Sequence, residues 1–599
     1  MYLPRQMRSQ FAYATTVSAL AFFLINPAYA KTVTPSASTQ LSALADRYID
    51  KFLELNPLDA SELTNEERYE DKFVNELTTK HRASVVKLNT ETLKALDRID
   101  LTKLNAADRI TRDLLDYQLR TNLEEMQYDF YRTPINQFYS MPVTLVQLAS
   151  TEGAQKFQTV ANYEHFLKRL DGFPGWVDSA IANMREGINK GVVQPKILMV
   201  RTMAQLKTQM VSDPTLSGFY VPAKKFPVSF SEVVRAKLSA DYRNMVEKKL
   251  TPSITKLHNF ILVEYLPRCR DTAGLASTPN GAAKYAFLVR QNTSTKLSPE
   301  QIHAIGLNEV ARIRLEMEKV KTEVGYVGDL NAFFKSLESN PKLTPFKTEA
   351  DVINAFKEIQ QRVEPTLDKM FAHKPRSPLE IRPEPEITRA TAAAHYATGT
   401  RDGSRPGVFY APVRDATTYN STRMTSLFLH EALPGHHFQL SLNLESDLSR
   451  FRRYSYFNAF GEGWALYTES LGKDLGVYND PYQYLGRLAA EMHRAIRLVV
   501  DTGMHAKGWT REQAISYSLE NEGGSESGAQ QEVERYMAIP GQALGYKIGE
   551  LKIQELRQRA EKQFGAKFDI RAFHDAILND GNLPLAVLEE KINRWLAAQ

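Results

Sequence analysis

The sequence predicts a mainly α fold with a small β element just before a cluster of histidines. Two observations carry that prediction. From Ser36 onward most segments place apolar residues at three- and four-residue spacing, the period of one buried helix face. Of the very few β-type runs, the clearest is Val408-Phe409-Tyr410-Ala411-Pro412, entered through the turn residues Gly403-Ser404-Arg405-Pro406-Gly407.

The first element is an export signal. Arg5 and Arg8 give a basic start, no charge occurs from Phe11 to Ala30, and Ala28-Tyr29-Ala30 forms an A-x-A cleavage site before Lys31. Its apolar core is about a dozen residues, shorter than the ~20 needed to span a bilayer. Residues 1–30 are therefore expected to be a cleaved signal peptide. The product belongs in the periplasm or outside the cell, with no stable membrane insertion after cleavage. Lys31 after the cut gives no sign of a lipid-attached cysteine. Cys269 is the only cysteine and forms no internal disulfide, as suits a chain exported to an oxidising compartment. Its Pro-Arg-Cys-Arg setting reads as a helix end rather than a nucleophile.

Residues 31–245 read as an N-terminal helical region. Leu41, Leu44, Ala45, Tyr48 and Ile49 form one stripe, and the pattern continues through Val160 to Leu170 and Trp176 to Ile188. Breaks fall at Asn56-Pro57, Asp213-Pro214, Val221-Pro222 and Phe226-Pro227. The stretch from Asp213 to Pro227 reads as a linker or as an ordered loop over a cleft. A soft boundary near residue 245 then opens a C-terminal region, 246–599. There Ser298-Pro299-Glu300-Gln301 is a helix start, with a Ser cap, Pro in the first turn and Gln closing a capping box. With 43% hydrophobic residues the chain can bury a sizeable core. A net charge of +5, without a clustered Lys/Arg tract, excludes a nucleic-acid footprint.

The chemistry concentrates in His430-Glu431-Ala432-Leu433-Pro434-Gly435-His436-His437, which holds three of the twelve histidines. Histidine is the commonest protein ligand for zinc, and a Glu beside a ligating His can deprotonate water. The H-E-x-x-H signature puts its second His at i+4, within about 6 Å of the first on one helix face. Here that position is Pro434. In an unbroken helix His430 and His437 would share a face but stand about 10.5 Å apart along the axis, too far to share an ion. A bulge at Pro434-Gly435 that absorbs two residues would bring His436 to the i+4 place. His436 is therefore favoured over His437, with both kept as candidates. The bland alternative is a helix ending at Pro-Gly with two surface histidines.

A third ligand is expected downstream, where Glu462 and Glu469 stand seven apart in an otherwise apolar run. Carboxylates are rarely buried unless paired or bound to metal. Glu462, between two glycines, is the better ligand. Glu469, on the same face, suits a hydrogen bond to a ligand His, or is an ordinary solvent-facing Glu. His493, Arg497, Asp501 and His505 step by four along one helix. They read as a relay or as the solvated side of that helix.

The motifs H-E-A-x-P-G-H-H-x-Q and E-G-W-A-L-Y-x-E together resemble the bacterial domain-of-unknown-function 885 family, grouped with gluzincin-type zinc peptidases. The likeness extends through Ser404-Arg405-Pro406-Gly407, Asp501-Thr502-Gly503 with His505, and Arg535-Tyr536 with Pro540-Gly541-Gln542. It implies a large helical zincin-like metallohydrolase with one Zn2+ held by His430, His436 or His437, and Glu462. More remotely the motifs are similar to helical two-lobed peptidases, in which a Tyr or His beyond the third ligand steadies the oxyanion. That pattern makes Tyr536, Tyr546 and His505 candidates. Arg405 or Arg535 would bind a substrate carboxylate, and Tyr410 would help present a strand edge to a peptide. Arg535 alternatively pairs with a carboxylate on its own helix.

The expected reaction is hydrolysis of a peptide or small amide, with Glu431 as general base, of carboxypeptidase or dipeptidyl-carboxypeptidase type. The rival readings are an esterase or amidase on a non-peptide substrate, and a non-catalytic peptide-binding relative.

Overall fold

Leu41, Leu44, Ala45, Tyr48 and Ile49, the first stripe of the sequence, are all buried along the helix Ala37–Leu55. The structure, a computed structural model, describes residues 35–598 except 65, 151–154, 339 and 390–392. The expected signal peptide lies outside the described residues. Helix α1 (Pro299–Glu323) starts where the capping box placed it, with Ser298 and Gln301 bonding reciprocally. Among the described residues no helix is long and apolar enough to cross a membrane.

The boundary near residue 245 is not where the chain divides. Residue 245 lies within an almost continuous helical run from Glu232 to Tyr265, and Ala37–Gln599 forms one unit. Both hydrophobic cores draw on both sides of the boundary. One joins Leu41 and Leu114 to Phe428, Trp464 and Leu588. The other joins Trp176 and Phe219 to Ile313, Leu488 and Val499. Apolar periodicity marks which face of a helix is buried but not which distant helix covers it. The stretch from Asp213 to Pro227 is an ordered loop of 3-10 turns, with Phe219 and Tyr220 buried.

The β element is a three-stranded sheet of β1 (Leu379–Pro383), β2 (His395–Ala397) and β3 (Gly407–Ala411), in the order β1-β3-β2. Strand β3 runs parallel to β1 and antiparallel to β2. Phe409 is fully buried and meets Phe356 of helix α2 (Glu349–Val363) edge-on at 5.0 Å. Because β3 is central, its backbone is paired on both sides. Tyr410 thus offers no free edge, correcting the expectation from sequence. The outer strands were missed because they are short and half polar.

Six further helices build the site: α3 (Met424–Glu431), α4 (His436–Glu445), α5 (Asn458–Ser470), α6 (Pro481–Lys507), α7 (Glu526–Ala538) and α8 (Leu544–Phe564). Gly463 of α5 and Gly549 of α8 face each other so closely that a Cβ on either would strike the other's backbone. This lets the two helices meet at Glu462. The polar stripe of α6 is not its solvated side: Arg497, Asp501 and His505 are all buried.

Candidate metal centre

The helix carrying His430 stops at Glu431 and restarts at His436, across a cis Leu433–Pro434 bond. Pro434 has no N–H to donate, and Gly435 packs against the end of α3, where a Cβ would collide with the carbonyl oxygens of Leu429 and His430. Helix α5 supplies partners for the carbonyls at the break. Thr468 Oγ1 donates to Leu429 O at 2.9 Å, and Trp464 Nε1 donates to Pro434 O at 2.9 Å. The interruption is therefore built and braced, and it swings His436 beside His430 with ring centroids 4.9 Å apart.

His430, His436 and Glu462 offer one ligand atom each, all within 4.8 Å of one another. His430 Nε2 is 3.5 Å and His436 Nε2 3.4 Å from Glu462 Oε2. These gaps are wider than charge-assisted hydrogen bonds of about 2.7–2.9 Å. They match the roughly 3.4 Å edge of a tetrahedron whose ligands sit about 2.1 Å from a shared centre. Two imidazole nitrogens and one carboxylate, with His430 buried and the other two half-buried, fit a zinc-type ion.

Glu469, fully buried, orients the set. Its Oε1 accepts from His430 Nδ1 at 2.9 Å, its other oxygen accepts from Ser426, and Arg494 stands 3.9 Å away. Burial raises the Glu469 pKa, but the Arg494 charge and the His430 bond outweigh it and hold the carboxyl below its usual range. Burial likewise lowers His430, yet the carboxylates of Glu462 and Glu469 win and lift it to about 9. The site thus attracts positive charge strongly.

Glu431 is 8% exposed, and its carboxylate makes no hydrogen bond or ion pair with any described residue. Burial raises its pKa, against the pull of His436 and His430. A carboxylate free of partners beside the ligand set is poised as a base. Two tyrosines lie near the ligand set. Tyr546 of α8 feels the charges of Glu462, Arg497 and Arg535. Tyr456, which sequence reasoning missed, lays its hydroxyl against Gly461 and feels both Glu462 and Glu431. Its ring is half exposed, so the hydroxyl sits beside the ligand set on an accessible side chain. His395, on edge strand β2, is an electrostatic neighbour of Glu431 and stacks on Tyr410 at 5.1 Å. Only the motif-free Ser455-Tyr456-Phe457 stretch marks Tyr456 in the sequence, and nothing there links it to the histidines.

The other candidates fall elsewhere. His437 is not in the ligand set. Its Nδ1 meets Tyr396 Oη at 3.1 Å and burial pushes its pKa down to about 4, so it ties β2 to α4. His505 has both nitrogens engaged: Nδ1 accepts from Leu275 N at 3.1 Å, and Nε2 meets Tyr536 O at 3.0 Å. That corrects its catalytic assignment. The Tyr536 hydroxyl is also committed, donating to Glu532 at 2.8 Å and accepting from Arg497 at 3.2 Å. Arg405 lies exposed on the turn before β3, bonded through its backbone to Thr400. Arg535 lines a cleft of about 910 Å³ with Tyr139, Arg201, Arg414, Glu532 and Gln542. It bonds Gln542 at 2.9 Å, and its partner on its own helix, Glu532, is 3.7 Å away. Cys269 is half-buried, and burial lifts its thiol to about 12, so it is chemically quiet.

The model of the family described as "Bacterial protein of unknown function (DUF885)" matches residues 57–592. The chain belongs to this family. A candidate lipoprotein from Colwellia psychrerythraea is similar in structure, with 28% identity and a TM-score of 0.86 over 94% of this chain and 100% of that one. A candidate lipoprotein of unknown function from Shewanella oneidensis shares the fold at 19% identity and a TM-score of 0.70, covering 92% and 99% of the two chains. A Pyrococcus furiosus carboxypeptidase overlays with a TM-score of only 0.39 and 12% identity over 95% of this chain and 99% of that one. That score carries no inference about shared activity. No curated protein sequence matches the chain.

Proposed function

We propose that this DUF885 protein is an exported zinc-dependent hydrolase that cleaves peptides. The observation that carries the reading is the convergence of His430, His436 and Glu462 beside the unpaired carboxylate of Glu431. A zinc ion held by His430, His436 and Glu462 would supply Lewis acidity, lowering the pKa of water and polarising a carbonyl. Glu431 takes the proton from water and passes it to the leaving amine. In this reading Tyr456 and Tyr546 donate hydrogen bonds to the developing oxyanion, supported by their nearness to Glu462. Glu469 fixes the His430 ring so that Nε2 faces the gap. Export is supported by the N-terminal signal pattern, and two bacterial relatives described as lipoproteins fit it.

Glu431→Gln tests the reading. The variant is expected to keep one zinc per chain while hydrolysis of a mixed peptide library, followed by mass spectrometry, falls to background. Full peptide hydrolysis by the variant would remove Glu431 from the reaction. A wild-type protein that binds no zinc would overturn the reading as a whole.

A further inference from the structure

Three guanidinium groups flank the metal centre, and the carboxylates near them are already committed. Arg423 immediately precedes α3, two turns before His430, while Arg494 and Arg497 lie one turn apart on α6. Glu469 is shared between His430 and Ser426. Glu532 accepts from both Arg497, at 3.0 Å, and Tyr536. Glu522 accepts from His493 at 2.8 Å. Arg423 has no hydrogen-bond or ion-pair partner among the described residues. Its side chain is exposed to solvent, with Glu522, Arg494 and Glu469 as its charged neighbours. Arg497 is 5% exposed with Nη1 unpartnered, and Arg494 Nε is buried without a partner as well.

Tyr546 connects this cluster to the metal centre. Its ring centroid lies 4.6 Å from the Arg497 guanidinium and 6.0 Å from that of Arg494, and it feels the charge of Glu462. Buried guanidinium N–H groups without acceptors are costly, and a carboxylate satisfies them two at a time. Behind them α6 is buried through Leu498, Val499 and Val500, so a peptide chain cannot continue past the arginines. An anion held here is therefore a terminal one.

We propose that Arg423, Arg494 and Arg497 form a subsite for the free C-terminal carboxylate of a peptide, making the enzyme a carboxyl-terminal exopeptidase. This rests on the proposed function, but its test does not require turnover. The full-length Glu431→Gln protein would be titrated with a randomised N-acetylated pentapeptide pool, prepared once as free acids and once as C-terminal amides. The free-acid pool is expected to bind at least about tenfold tighter. The added substitution Arg423→Gln, on a solvent-accessible side chain, should erase that preference while the melting temperature stays within a few degrees. Equal binding of the two pools, no binding by the free acids, or a preference that survives Arg423→Gln would each overturn the proposal. So would amides with an internal Asp binding as tightly as the free acids. Zinc content and wild-type peptide hydrolysis, measured separately, show whether the hydrolase reading stands when this one falls.

Discussion

Glu469 Oε1 lies 2.9 Å from His430 Nδ1, so the carboxylate two helical turns beyond Glu462 fixes an imidazole instead of joining the ligand set. The bond selects the tautomer that leaves His430 Nε2 facing His436 and Glu462. Glu469→Gln is expected to weaken zinc affinity by about 10- to 100-fold, the usual effect of losing such an orienting partner. Competition with a chelator of known affinity measures it. Unchanged affinity would reduce Glu469 to a packing role.

Substitution of Tyr456 separates an oxyanion donor from a mere binding surface. Removing one hydrogen-bond donor to a developing oxyanion costs on the order of 10²–10³ in rate. Tyr456→Phe should therefore lower kcat by about that factor with KM and zinc content unchanged. A change confined to KM would make the ring a binding surface only.

Some of this was legible in the sequence and some was not, for identifiable reasons. Capping chemistry is local, so the start of α1 at Pro299 was readable from four residues. The Pro434-Gly435 break was readable because Pro and Gly have fixed backbone consequences, and the resulting geometry favours His436. The assignment of His505 went astray because a His on a polar helical stripe looks the same whether it meets substrate or, as here, Leu275 N and Tyr536 O. Tyr456 was invisible because its nearness to Glu462 and Glu431 depends on how the chain packs over Gly461.

The helix break makes a prediction of its own. Gly435 packs where a Cβ would strike the carbonyls of Leu429 and His430, so Gly435→Ala must displace either α4 or the end of α3. Overpacking of this kind costs about 1–3 kcal/mol. The displacement should also move His436, lowering zinc affinity along with the melting temperature. Stability lost with affinity intact would show that the break can relax without moving the ligands.

His505 gives a pH signature. Burial pushes its pKa down to about 3, whereas an unfolded His titrates near 6.5. Between those values the unfolded chain binds more protons, so this residue's contribution to stability rises with pH. It is complete above about 6.5 and is lost as pH falls toward about 3. His505→Gln should lower the melting temperature at pH 8 while leaving zinc stoichiometry unchanged. The gap between variant and wild type should narrow at pH 5. Asp501, pushed up to about 7 by burial, has the opposite sign but is present in both proteins. A gap independent of pH would contradict the neutral, buried His505.

The central claim is that His436, and not its neighbour His437, completes the metal site with His430 and Glu462. Zinc stoichiometry by native mass spectrometry of His436→Ala and His437→Gln tests it most directly. The account predicts that His436→Ala loses the ion and all hydrolysis, while His437→Gln keeps one zinc per chain. Retention of zinc in His436→Ala with loss in His437→Gln would contradict it.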